Sequence, residues 1–314
     1  MKLGDTVKKI VVTGATSMLG VATIEECLSN DIEVVAIVHR NSKNLYRLPH
    51  SPNLKIIEIN LDELYNFTPD FNDADTFYHF AWATINYQYK GLNDLQKFYI
   101  RYIDVQEKNI RYTHDAVHFA KKCGCHKFIF AGSQSEYGLS DKPLNRETPI
   151  APCTAYGVAK FSAGKLAEML CKNLNITFVW SRILSVYGTN DKTHTLISYI
   201  IDCYKNNIQP VLTKGEQIWD YLHADDAAHA FRLLGQCQTQ GIYVVGNGTA
   251  QPLKTYVETI YRLMKPNVPL VFGGKPYAED QIMFLQADIS DLQRDTGFQP
   301  QISFEEGIKK ILNL

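Results

Sequence analysis

Tyr156 and Lys160 stand four residues apart in AYGVAK, and a serine, Ser133, lies upstream in FIFAGSQSEYG. On a helix, positions i and i+4 share a face, so the lysine ammonium can sit beside the phenol and stabilise its anion. A lone tyrosine, with a pKa of about 10, is a poor proton shuttle near neutrality. Beside a cation, and with the Ser133 hydroxyl sharing the substrate oxygen, it becomes usable as a general acid or base. That is the proton chemistry that hydride transfer at a carbinol or carbonyl requires. The spacing alone is weak, because surface Tyr/Lys pairs arise by chance on many helices. A glycine-rich turn near the start of the chain gives it meaning.

That turn runs Thr13-Gly14-Ala15-Thr16-Ser17-Met18-Leu19-Gly20, between the apolar run 8–13 and a helix. Gly14 permits the tight turn and Gly20 lets helix pack closely on strand. Thr16, Ser17, Met18 and Leu19 then bring a helix N-terminus to a pyrophosphate, through backbone N–H groups and the dipole. Ser17 stands where a third glycine is usual, and either crowds the phosphate or donates to it. The second strand closes on HRNSK, where an acidic residue would normally hold the adenosine ribose hydroxyls. His39, Arg40, Ser42 and Lys43 instead offer positive charge and donors suited to a 2′-phosphate, which favours NADP(H) over NAD. Asn60, Leu61 and Asp62 follow the third strand, where a polar side chain can meet the adenine or cap the next helix.

The elements that must position these residues are legible as apolar, β-branched runs at 8–13, 33–38, 54–59, 76–81 and 127–132, most of them separated by helical stretches. Nearly continuous hydrophobic strands alternating with helices imply an α/β fold with a parallel sheet buried on both faces. Right-handed crossovers make it a doubly wound, Rossmann-type core. The stretch 92–122 is the longest helical candidate, and a further helix carries Tyr156 and Lys160 towards Asn173, before the strand NITFVWSRI. After about residue 185 the pattern loosens. Short strands are expected near 209–212, 218–222, 242–245 and 269–272, among helices near 194–206, 225–236, 254–265 and 302–313. Residues 1–185 are expected to be mainly the dinucleotide-binding domain, and 186–314 mainly a smaller substrate-binding lobe interleaved with the core sheet. The proline-containing stretch 141–153 reads as a loop before the tyrosine helix.

Composition excludes other classes. The 314 residues carry 32 basic and 33 acidic side chains for a formal net charge of -1, so bulk charge holds neither nucleic acid nor a membrane surface. No segment reaches about 18 apolar residues, so no membrane span is expected, and the N-terminal apolar run is short for a signal peptide. Seven cysteines without CxxC pairs fit a reducing cytoplasm. His114 and His118 have a zinc-like spacing but no Glu follows the first of them and no third ligand is evident, so no metal is expected. His223, Asp225 and Asp226 read as a helix cap.

GATSMLG, YHFAWA, FIFAGSQSEYG, AYGVAK, SRILSVYG, GEQIWDYLHADDAAHAF and ADISDLQRDTGFQPQISFEEGI follow one another in order. With them the chain resembles, over nearly its whole length, the extended short-chain dehydrogenase/reductase family, in its branch of nucleotide-sugar epimerases, dehydratases and ketoreductases. The resemblance implies that Ser133 hydrogen-bonds the reacting oxygen, that Tyr156 is the acid or base, and that Lys160 lowers its pKa and holds the nicotinamide ribose. It places Phe80, Ala81 and Trp82 in the loop lining the cofactor, and Asn109 as a polar residue under the site. In the 6-deoxysugar dehydratases an Asp-Glu pair follows the Ser/Thr; here Gln134 and Ser135 stand there, and Glu136 comes one place late. Dehydration is therefore disfavoured.

The substrate side departs from the family pattern. Ser185 replaces an Asn, Trp219 an Arg, and Ala278 a frequent phosphate-binding Arg, while Lys275, Tyr277 and Arg294 lie nearby in sequence. Losing cations weakens a pyrophosphate clamp; Trp219 can stack a base or pack in the core. The tyrosine-rich insert 84–90 offers hydroxyls to a sugar or covers the long helix. The expected activity is NADPH-dependent reduction of a 4-keto sugar carried on a nucleoside diphosphate. The alternatives are a 4-epimerase with tightly held NAD and a non-catalytic NADP-binding sensor. The resemblance also implies a homodimer through the 92–122 and 156–174 helices.

Overall fold

The first half of the chain alternates strand and helix. The computed structural model describes residues 7–84, 95–193, 195–279 and 281–314, and the side chains of all of these except 95–101. Its first elements are β1 (Lys9–Thr13), α1 (Met18–Leu28), β2 (Glu33–Val38), β3 (Leu54–Glu58), β4 (Thr76–His79), α2 (Leu95–Lys122), β5 (Lys127–Ser133), α3 (Ala155–Asn173) and β6 (Thr177–Ile183). There follow β7 (Ser185–Tyr187), α4 (Leu196–Lys205), β8 (Ile218–Trp219), β9 (Tyr221–His223), α5 (Ala224–Gln236) and β10 (Gly241–Val245). The chain closes with β11 (Gln251–Pro252), α6 (Leu253–Met264), β12 (Phe284–Leu285), α7 (Ser290–Thr296) and α8 (Phe304–Leu312).

The central sheet has seven strands in the order β10-β6-β5-β4-β1-β2-β3, and every neighbouring pair is parallel. Successive side chains of a strand point to opposite faces, which explains why the inner strands are largely apolar, whereas the edge strand β3 exposes Lys55, Ile56 and Glu58. Ile10, Val12 and Ile129 pack with Val21 and Ile24 of α1 and Phe231 and Leu234 of α5. Val11, Phe128 and Phe130 face the other way, towards Val117 and Phe119 of α2 and Ala163 and Ala167 of α3. Strand order reverses between β1 and β4. In doubly wound sheets the crevice outside the strand ends at such a point receives the ligand.

After residue 185 the chain returns to this sheet, with β10 pairing beside β6 and α5 joining the α1 side of the core. The remaining segments build a smaller lobe around Ile197, Ile200, Leu212, Val257 and Ile260. Two expectations fail there. Residues 209–212 and 269–272 are not strands, although the segments they belong to touch through Gly273 N–H to Thr213 O at 3.0 Å and Lys275 N–H to Leu212 O at 3.2 Å. Pro210 and Pro269 lack the N–H a ladder needs, and the positive φ of Gly273, 80°, breaks the extended run. Among the described residues no helix is long and apolar enough to cross a membrane.

Candidate active site

The crevice at the strand reversal has the glycine turn as one wall. Gly14 has φ 70°, and a Cβ on it would lie 2.6 Å from Ala81 N and 2.8 Å from Phe80 C. Only a hydrogen fits between this turn and the Phe80–Ala81 backbone that leaves β4. A Cβ on Gly20 would meet Gly14 O at 2.3 Å, so α1 begins hard against the turn, as a helix receiving a phosphate must. Ser17 caps that helix, its Oγ accepting from Gly20 N–H at 3.1 Å. Its hydroxyl hydrogen remains the group that can face a phosphate. Thr16, Met18 and Leu19 complete the turn and the first residues of α1.

In the loop after β2, expected to meet the adenosine, the structure redistributes the expected charges. Arg40 does not stand as an open cation: its Nε and Nη2 donate to the two Glu63 carboxylate oxygens, each at 3.0 Å. Asn60 is a cap, as one of its two expected uses had it. It heads the 3-10 turn Leu61–Glu63, accepts from Arg40 N–H at 3.2 Å and donates its own N–H to Glu63 at 2.9 Å. Parallel pairing of β2 with β3 brings this acidic turn beside HRNSK, which no local reading of the loop reveals. Ser42 closes the loop, its N–H bonded to His39 O at 3.0 Å, and Lys43 is exposed.

A cation that sequence reasoning missed lies further on. Arg47 donates from Nη1 to Thr16 O in the glycine turn at 3.3 Å, and its Nε is buried without a hydrogen-bond partner. A buried guanidinium N–H without a partner calls for an acceptor, and an anionic oxygen is the strongest kind.

The residues expected to act as acid and base come together where β5 ends and α3 begins. Thr154 caps α3 by accepting from Gly157 N–H at 3.0 Å, which sets Tyr156 and Lys160 in successive turns on the sheet side. Tyr156 lies in reach of Ser133. Burial pushes the phenol up to about 12, and the Ser133 hydroxyl works against that rise. Lys160 lies beside Tyr156, as the i,i+4 spacing expects, but its hydrogen bond goes elsewhere. Its Nζ donates to Ala131 O at 2.7 Å, lies 3.7 Å from the centre of the Trp82 ring and is 5.8 Å from that of Tyr156. Its apolar box makes the charged form costly. Burial brings the lysine down to about 7, opposed by the charge of Glu136 and assisted by that of Lys192.

Trp82 is the wall shared by both groups, with its ring edge-on to Tyr156 at 6.0 Å and its Nε1–H donated to Gln106 Oε1 at 2.9 Å. Asn109 holds the adjoining backbone by pairing with both the N–H and the C=O of Ala83, at 2.8 and 2.9 Å. This is a concrete version of the buried polar role expected for it.

Of the residues expected on the substrate side, Gln134 donates from Nε2 to Ser135 Oγ at 3.3 Å, while its Oε1 is buried without a partner. Ser185 and Trp219 are joined to each other, Trp219 Nε1–H to Ser185 Oγ at 2.8 Å. Trp219 also lines a cavity of about 240 Å³ with Leu196, Leu212, Phe272, Lys275 and Gln281. Ala278 is exposed, Tyr277 is bonded to Glu216, and Arg294 is held by Asp291 and Asp295. Residues 85–90 of the tyrosine-rich insert lie outside the described residues. His114 and His118 lie with ring centres 4.7 Å apart beside Tyr65, and His223 caps α5 through Asp225 N–H at 3.2 Å.

The family model for the NAD dependent epimerase/dehydratase family matches residues 10–246. The trifunctional UDP-glucose 4,6-dehydratase/UDP-4-keto-6-deoxy-D-glucose 3,5-epimerase/UDP-4-keto-L-rhamnose-reductase of Arabidopsis thaliana is 25% identical over 98% of this chain. That match covers 47% of the plant protein, so the chain spans about half its length. CDP-abequose synthase of Salmonella typhimurium is 24% identical, with 96% of this chain and 97% of that protein covered. Among solved structures, UDP-N-acetylglucosamine 4-epimerase from Methanobrevibacter ruminantium has a TM-score of 0.82 at 21% identity, covering 98% of this chain and 99% of that one. At that identity the likeness establishes the shared fold.

Proposed function

The chain belongs to the NAD dependent epimerase/dehydratase family, and from that premise we propose that it reduces the 4-keto group of a nucleoside-diphosphate sugar with NADPH. The observation that carries this reading is the placing of a buried Lys160, bonded to Ala131 O at the end of β5, over the ring of Tyr156, whose phenol the Ser133 hydroxyl draws down. Gly14, Ser17 and Gly20 would hold the pyrophosphate, and Trp82 and Lys160 the nicotinamide riboside end. Bound there, a nicotinamide supplies the hydride. Tyr156 gives its proton to the carbonyl oxygen as that oxygen becomes a hydroxyl, and the Ser133 hydroxyl holds the same oxygen in place. With Gln134 and Ser135 in the acid-pair positions, no side chain there removes a proton for water elimination. The Trp219-lined cavity takes the nucleotide end, with stacking in place of a cationic clamp.

Reduction is favoured over epimerisation by the absence of an acid at the end of β2 and by Arg47, which suit a 2′-phosphate. Arg47→Met should therefore weaken NADPH binding about tenfold, roughly 1.4 kcal/mol, and NADH binding little. Nicotinamide fluorescence titrations check this, and equal losses for both nucleotides would remove Arg47 from the 2′-phosphate.

A 4-epimerase with tightly held NAD is the second reading, favoured by one observation: Glu63 occupies Arg40. Purified protein tests the two. Consumption of added NADPH with a nucleotide-linked 4-keto-hexose, matched to the strongest stabiliser among UDP, dTDP, GDP and CDP, is the expected result. A nicotinamide that survives desalting, with sugar isomers interconverting without added cofactor, would overturn reduction.

A further inference from the structure

Glu136 falls one place beyond the positions where a dehydratase carries its acid pair, and its carboxylate turns into the protein. It is fully buried. One oxygen accepts from Ser133 N–H at 2.8 Å and from Trp180 Nε1–H at 3.3 Å; the other accepts from Arg182 Nε–H at 2.8 Å. Ser133 Oγ accepts in turn from Ser135 N–H at 3.2 Å, so the turn that ends β5 is closed from both sides. Arg182 is buried as well, its guanidinium carbon 4.7 Å from the ring centres of both Tyr137 and Trp180. A Cβ on Gly132 would stand 2.5 Å from Trp180 Nε1 and 2.6 Å from a Glu136 oxygen. The backbone of β5 therefore approaches the carboxylate as closely as a bare glycine allows.

A buried ion pair is often no more stabilising than apolar side chains of the same volume, so stability alone does not account for this one. Its position does. We propose that Glu136 is a positioning residue for the reaction: its carboxylate fixes the Ser133 backbone and places a buried negative charge at the end of β5, the same strand end that Lys160 holds through Ala131 O.

The inference rests on reading Ser133, Tyr156 and Lys160 as the acid–base centre. The charged groups facing Lys160 are Glu136, which holds the end of β5 at Ser133 N–H as Lys160 does at Ala131 O and favours its charge, and Lys192, which opposes it, with the Trp82 and Phe130 rings around the ammonium. Those facing Tyr156 are the Ser133 hydroxyl, Glu136 and Tyr102 of α2. Glu136 raises both groups, the pair of states that proton donation by Tyr156 uses.

Glu136→Gln leaves Arg182 buried without its counter-ion, so the test uses the double variant Glu136→Gln with Arg182→Met, which removes both charges and keeps an acceptor for Ser133 N–H. NADPH affinity, read by nicotinamide fluorescence from pH 6 to pH 9, is expected to be lost about one pH unit earlier in the double variant than in the wild type, because Lys160 gives up its proton sooner. Glu136→Asp keeps the charge and should keep the wild-type midpoint, while turnover falls as Ser133 shifts. Coincident midpoints for the double variant and the wild type, or a shifted midpoint in Glu136→Asp, would overturn the inference. Tyr156→Phe run in parallel separates the two readings: undiminished turnover there sinks the acid–base centre itself, whereas a large loss with no midpoint shift in the double variant sinks only the role of Glu136.

Discussion

Tyr156→Phe is expected to lower turnover by about 10²–10⁴ while NADPH affinity stays within about twofold. The phenyl ring keeps the edge-on contact with Trp82 at 6.0 Å, so the wall of the crevice and Lys160 behind it are undisturbed. Only the hydroxyl is lost, and with it the influence of Ser133 on it. Because burial holds the phenol up to about 12, the wild-type group remains protonated across the neutral range, as a proton donor must before the hydride moves. The Ser133 hydroxyl still polarises the carbonyl in the variant, which leaves it a residual rate. Steady-state kinetics beside a fluorescence titration check the separation, and unchanged turnover would take Tyr156 out of the reaction.

Lys160→Met should abolish useful turnover and yet make the protein more stable at low pH. The lysine is brought down from an ordinary 10.5 to about 7 by burial. Between those values the unfolded chain binds more protons than the folded one, so wild-type stability rises with pH through that window. Below about pH 7 both states carry the proton and the full penalty of the buried ammonium is present. Methionine fills the same space without that penalty, at the loss of the bond to Ala131 O and the contact with Trp82. The net gain is expected to be on the order of 2–3 kcal/mol at pH 6, shrinking as pH approaches 10. Urea unfolding at the two pH values measures it. A variant less stable than the wild type at pH 6 would mean that the ammonium is better solvated than its surroundings imply.

These two outcomes depend on features of unequal visibility in the sequence. The inner strands between β1 and β6 were legible because a parallel strand buried on both faces is apolar at nearly every position, the exposed edge strand β3 through its isoleucines, and the glycines of the first turn because backbone approaches within 3 Å tolerate no Cβ. Ser133, Tyr156 and Lys160 could be read from order and spacing. Their electrostatics could not. Glu136 and Arg182 are 46 residues apart and meet only because β5 lies beside β6, with Gly132 opposite Arg182. Arg40 is diverted by a glutamate on the turn after β3, and Arg47 reaches the glycine turn only through the path of the loop after β2. In the smaller lobe, β7, β8, β11 and β12 are two or three residues long, too short to show a period. Trp219 and Ser185, each unusual alone, make sense as partners once the fold joins them.

The most direct test follows the hydride itself. NADPH deuterated at the transferable position of nicotinamide C4 is incubated with the protein and the nucleotide-linked 4-keto-hexose of the Proposed function assay, and the sugar product is examined by mass spectrometry and NMR. Deuterium at C4 of the sugar, in step with NADPH oxidation, is the result expected. A converted sugar that carries no deuterium, with the added NADPH unconsumed, would contradict net reduction at this centre.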